Sequence, residues 1–257
     1  MAPHRIISDP QKSEIFVAAY LFVLAVGLLA GMISGVIGTG SSIMLLPVLV
    51  YNFGPKQAVP IMAVAAVMAN LSRVMAWWRV VDWRAFAAYS VTGVPAAILG
   101  ARTLLRLPSH WIEVGLGAFF IAMVPVRHWL RQRNFKLRLW QLSLCGAGIG
   151  YLTGIVLSTG PLSVPAFTSY GLAKGAFLST EAASSLALYV SKVLTFREMG
   201  AMPLDVFLQG LLVGASLMAG TFVGKAFVMK MSERHHQLLL DVLLIASGIS
   251  LLWAAIG

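Results

Sequence analysis

The chain has 257 residues, of which 59% are hydrophobic and 11% charged, with a mean hydropathy of +0.85. A soluble domain is about 25% charged, so this composition excludes one and specifies a polytopic membrane protein. The net charge of +10 reads as cationic loops held at the cytoplasmic face rather than a nucleic-acid surface, and the single Cys145 excludes an intramolecular disulfide or a cysteine metal cluster.

Residues 1–14 form a short polar tail of balanced charge. A first hydrophobic span follows over 15–38; it has no small-residue cleavage site and is expected to be retained as a helix. The uncharged stretch nevertheless runs on to residue 55, interrupted by Gly35-Val-Ile-Gly38-Thr39-Gly40-Ser41-Ser42 and then Pro47. Wound as one helix it would be roughly 60 Å long, twice a hydrocarbon core of ~30 Å. The pattern therefore predicts a full helix, a break at the glycines and a short segment ending near Tyr51, with a turn at 52–56. Long spans are predicted at 58–78, 85–105 and 111–130, separated by the polar turn 79–84 and by the stop Leu107-Pro108 with its N-cap Ser109. A basic linker at 131–138 closes the first half.

The second half repeats the plan. A long helix over 140–158 is broken at Ser158-Thr159-Gly160-Pro161, and a short segment reaches Tyr170. Further long spans are predicted at 176–196, 204–228 and 237–256. A shift of 118 residues superposes Pro47 on Pro165, Lys56 on Lys174, Ala58 on Ala176 and Arg79 on Arg197; a shift of 123 superposes Arg102 on Lys225 and Ser109 on Ser232. The fold class expected is an all-α membrane protein of two homologous repeats, 15–130 and 139–257. Each repeat has four long helices and one short broken segment. That gives eight long spans with two short ones, or ten with inverted halves if the short ones cross. The central basic linker is cytoplasmic in both arrangements, and the Lys and Arg bias does not choose between them.

At the broken segments the sequence resembles the sulfite exporter TauE/SafE family. The matching features are Gly35-Val-Ile-Gly38-Thr39-Gly40, Pro47 and Gly54-Pro55-Lys56-Gln57-Ala58, echoed by Gly154, Thr159-Gly160, Pro165 and Lys174-Gly175-Ala176. The resemblance covers nearly the whole chain. It implies a prokaryotic inner-membrane exporter of sulfite or of small organosulfur anions, with links to taurine and sulfoacetate breakdown.

The residues themselves argue for an anion. A helix N-terminus offers unpaired N–H groups and a partial positive charge, and irregular backbone at membrane depth belongs where it lines a cavity. The expected site is therefore Gly38, Thr39, Gly40, Ser41 and Ser42 facing Ser158, Thr159, Gly160 and Pro161, with Asn70 and Arg73 nearby. The competing reading of these glycines is close helix packing. Arg73 has its own alternative, snorkelling to the interface, and its rough counterpart is Lys192. Ser184, Ser185 and Ser191 share the helix of Lys192 and either line a path or hydrogen-bond between helices. Glu181 and Asp241 are candidate proton-coupling acids, although Glu181 also fits a first turn that complements the helix dipole. Trp77, Trp78, Trp83, Trp111, Trp129 and Trp140 fall at span ends as interface anchors.

An intramembrane enzyme is the rival class, since Gly38-Thr39-Gly40-Ser41 faintly resembles a protease serine motif. All five histidines (His4, His110, His128, His235, His236) lie in tails, loops or span ends, so no base faces that serine. No catalytic residue, metal ligand or cofactor is expected. The expected partners are a small anionic substrate, the lipid bilayer and a second copy in a homodimer, with no nucleic acid and with the coupling ion open. A transporter of a cation or neutral metabolite is the other alternative.

Overall fold

A computed structural model describes residues 21–32, 41–132, 136–156, 159–228 and 233–256. Every regular element among them is helical. In chain order these are α1 (Leu21–Met32), α2 (Ser41–Phe53), α3 (Pro55–Trp77), α4 (Trp83–Arg106), α5 (Ser109–Gln132), α6 (Leu139–Ile155), α7 (Gly160–Tyr170), α8 (Lys174–Glu198), α9 (Leu204–Val228) and α10 (Glu233–Ile256). A 3-10 turn, Trp78–Val80, joins α3 to α4.

Three of these helices contain a stretch long and apolar enough to cross a membrane: Pro55–Met75 in α3, Ser109–Val126 in α5 and Leu204–Thr221 in α9. The two short segments are present, with 13 residues in α2 and 11 in α7. At ~1.5 Å per residue they are roughly 20 and 16 Å long, too short to cross a ~30 Å core. The expected turn at 52–56 contracts to one residue. Gly54, at φ 73°, alone interrupts the helix, and Pro55 opens α3 at once because its ring suits a first turn and it has no N–H to lose. The helix predicted over 140–158 ends earlier, at Ile155. The break residues Gly38, Thr39, Gly40 and Ser158 lie outside the described residues.

Packing centres on α3 and α8, which lie against each other. Helix α9 covers α3 and α4 covers α8. Helix α6 lies on α4, and α1 lies on α9 through Gly27, Gly31 and Gly220. Helices α5 and α10 pair, with α7 touching α5 and α2 touching α10. Ser247 of α10 donates to the Ile43 carbonyl of α2 at 2.7 Å, fixing the short helix from that side. The main buried apolar cluster includes Ile43, Leu46 and Leu49 of α2 and Ile61 and Met62 of α3, all fully enclosed. The six tryptophans expected as anchors are exposed at helix ends.

The start of α4 is tied directly to α8. Asp82 caps α4 by accepting from the N–H groups of Arg84 and Ala85, both at 3.0 Å. Its own N–H donates to Thr180 Oγ1 at 2.9 Å. An N-cap side chain satisfies donors that the first turn leaves unpaired. Asp82→Ala is expected to destabilise the protein by about 1 kcal/mol, lowering the thermal unfolding midpoint in detergent. An unchanged midpoint would show that water satisfies those donors equally well.

Candidate functional site

The polar side chains of the core gather where both short helices meet α3 and α8. Asn70 and Arg73, one turn apart on α3, act together: the Asn70 carbonyl oxygen accepts from the Arg73 guanidinium, while its amide donates to the Ala66 carbonyl at 2.8 Å. Arg73 Nη1 stands 3.3 Å from Glu181 Oε2 on α8. Glu181 Oε1 accepts from Ser163 of α7 at 3.0 Å and from Ser185, one turn on, at 2.9 Å. Tyr189, two turns beyond Glu181 on α8, pairs through its side chain with Ser42 of α2. One network thus joins α3, α7 and α8, and the Ser42–Tyr189 pair ties α2 to the same helix α8.

Burial decides between the sequence alternatives for these charges. The Arg73 side chain is 14% exposed and that of Glu181 4%, so Arg73 points inward to its partner rather than snorkelling to an interface. Glu181 does not occupy a first turn either, because α8 begins at Lys174 and places it in the second. A carboxylate removed from water in this way needs a countercharge and hydrogen-bond donors, and it has both. Asp241 is in a different setting. It pairs with His128 at 3.5 Å across α5 and α10, and the His128 side chain is half exposed.

A second cluster lies at the junction of α6 and α7. Thr159, the N-cap of α7, makes no side-chain cap; its hydroxyl instead lies 2.5 Å from that of Thr153 in α6. Thr153 Oγ1 donates to the Ile149 carbonyl at 2.7 Å. Lys192 of α8, fully buried, donates to the Thr153 carbonyl at 2.8 Å. Pro161 sits in the first turn of α7 and contributes no N–H, and the Thr159 carbonyl accepts from Leu162 and Ser163. Helix α7 ends at Gly171, whose φ of 107° is a left-handed conformation suited to glycine.

Of the expected site residues, Asn70 and Arg73 are brought together with Glu181, Ser42 pairs with Tyr189, and Thr159 stands in the second cluster beside Pro161. Ser41 is buried at the start of α2. Sequence reasoning did not assign Ser163, Tyr189 or Thr153 to the site. Ser163 and Thr153 carried a signal, being hydroxyls within a helical turn or two of the second break; Tyr189 carried none.

Comparison with protein-family models matches residues 23–251 to the family described as Sulfite exporter TauE/SafE. Neither curated proteins nor solved structures give a match. The match spans nearly the whole chain and includes both short helices and the polar network between them, so the protein belongs to the sulfite exporter TauE/SafE family, a family of membrane transporters.

Proposed function

We propose that this protein exports a small sulfur-containing anion, sulfite or an organosulfonate such as sulfoacetate, across the inner membrane of a prokaryotic cell. The anion is bound where the N-termini of α2 and α7 approach the α3–α8 pair, and it is released by alternating access. The observation that carries this reading is that a hydroxyl from each short helix meets α8 in the buried core, Ser42 against Tyr189 and Ser163 against Glu181, the partner of Arg73. Helix N-termini with hydroxyls nearby favour anions.

Two repeats moving against each other supply the motion. The helix pairing supports this duplication, because adding five to each helix number exchanges its contacts. The pair α3–α9 becomes α8–α4, α4–α6 becomes α9–α1, and α5–α7 becomes α10–α2, while α3–α8 and α5–α10 map onto themselves. Such exchange is the signature of transporters built from internal repeats, with the site at the repeat interface. The basic linker 131–138 is cytoplasmic in this reading. Glu181 is the stronger candidate for the coupling acid, since it belongs to the network at that interface, whereas Asp241 is paired with an exposed histidine.

The test is thermal stability of the purified protein in detergent. Sulfite, sulfate, thiosulfate, taurine, sulfoacetate and acetate are titrated at constant ionic strength. Stabilisation by one sulfur anion, lost when Ser42→Ala and Thr159→Ala are combined, is the expected result. A flat response to all of them, with stabilisation by a cation or a neutral metabolite, would overturn it.

A further inference from the structure

Helix α8 brings one acid and one base, Glu181 and Lys192, into the buried core, and of the two only Glu181 has a countercharge among the described residues. Glu181 has Arg73. Lys192, three turns further along the same face, is fully enclosed; it donates to the Thr153 carbonyl at 2.8 Å and lies 5.4 Å from the centre of the Phe196 ring. As an ammonium it carries three donors, of which the Thr153 carbonyl takes one. Among the described residues no carboxylate stands within ion-pair distance of it. The sequence at the two breaks, residues 33–40 and 157–158, contains no acid that would serve. An amine buried without a countercharge is costly to charge, so an arriving anion stabilises its ammonium form, and in membrane proteins ionisable groups so placed mark substrate pathways.

The neighbours of Lys192 suit an anion. Its ammonium is directed to the end of α6, where Thr153 and Thr159 meet just ahead of α7. Thr153 gives its hydroxyl proton to Ile149, so the Thr159 hydroxyl donates to Thr153 and turns to a ligand by rotating about one bond. The first turn of α7 carries no side-chain cap and adds its partial positive charge. Ser184, on α8 between Glu181 and Lys192 and fully buried, has a hydroxyl with no partner. It supplies a spare hydrogen-bonding group on the way from Glu181 to Lys192.

We infer that Lys192 is the cation that receives the transported anion: its ammonium, the Thr159 hydroxyl and the first turn of α7 hold one small oxyanion, while Arg73 is committed to Glu181. This assignment rests on the reading of the protein as an anion transporter. It divides the two counterpart cations, which lie 119 positions apart, into a ligand and a structural partner. The group recognised is a compact, charged oxyanion; a sulfite, sulfonate or carboxylate head presents the same oxygens to Lys192.

Lys192→Met and Lys192→Arg distinguish this role from a packing role. Thermal shift with sulfite, sulfate and acetate is measured on the full-length protein, alongside sulfite flux in proteoliposomes. In Lys192→Met the apparent affinity for the stabilising anion is expected to fall at least about 30-fold, with the ligand-free midpoint unchanged or raised. Lys192→Arg, which keeps the charge, is expected to retain the response. Lys192→Met with wild-type affinity and wild-type sulfite flux would overturn the assignment and leave the proposed export standing. Stabilisation by acetate but not sulfite, lost in Lys192→Met, would support the lysine and overturn the sulfur substrate. A wild-type protein that responds to no anion would overturn both.

Discussion

Arg73→Met is expected to destabilise the protein by about 3–5 kcal/mol, the range found when one partner of a buried ion pair is removed. The loss comes less from the missing attraction than from what remains. Glu181 would be left at 4% side-chain exposure with only the hydroxyls of Ser163 and Ser185 as partners. Asn70 would lose the guanidinium that its carbonyl oxygen accepts from. Glu181→Leu is expected to fall in the same range, because it strands the guanidinium instead. The double variant Arg73→Met/Glu181→Leu recovers most of the loss, since a buried pair exchanged for apolar side chains of similar volume is often neutral or better. Unfolding of the purified protein in detergent, run as a double-mutant cycle, measures this. Additive losses would mean that the two groups act independently, and the 3.3 Å contact would then have no energetic consequence.

The pair also marks where sequence reading ends. That Arg73 and Glu181 lie within apolar spans is visible in the sequence; that they meet is not. They are 108 positions apart on helices whose contact is set by side-chain packing over both. Without that contact, an arginine six residues from Arg79 reads equally well as one reaching for an interface. The helices themselves were legible because hydropathy and Gly-Pro punctuation act locally: 204–228 is α9 as predicted, and the short segments end within two residues of Tyr51 and at Tyr170. Boundaries moved where side chains outside the hydropathy pattern hold the ends. Capped by Asp82, α4 starts two residues earlier than expected, and Gln141 accepts from the Arg138 N–H ahead of α6. Gly154 was legible only by type. Its place in the Gly154–Pro161 run associated it with the break, whereas it packs against α4.

Gly154→Ala is accordingly expected to destabilise the protein by at least about 3 kcal/mol, the upper part of the range for overpacked interiors. A methyl group there would stand 2.5 Å from the Ala97 carbonyl oxygen, 2.6 Å from Gly100 Cα and 2.7 Å from the Ala101 nitrogen. All three are backbone atoms of α4, so no rotamer change relieves the collision and the helices must separate. Gly100, Gly146 and Gly150 are placed likewise, each with backbone of the opposite helix where a Cβ would go, and a Cβ at Gly93 would stand 3.2 Å from the Gly146 carbonyl oxygen. A seam of this kind lets two backbones approach closely where no hydrophobic force drives helices together in lipid. Separating α4 from α6 also disturbs the site, since α4 packs on α8 and α6 carries Thr153. The matched control is Gly148→Ala, on the same helix but with nothing within 4 Å of the added methyl. Removing glycine from a helix interior there stabilises by roughly 0.5–1 kcal/mol. Thermal unfolding of both variants reads the difference. Equal midpoints would show that α4 and α6 separate without loss, and the seam would be a consequence of the fold rather than a support of it.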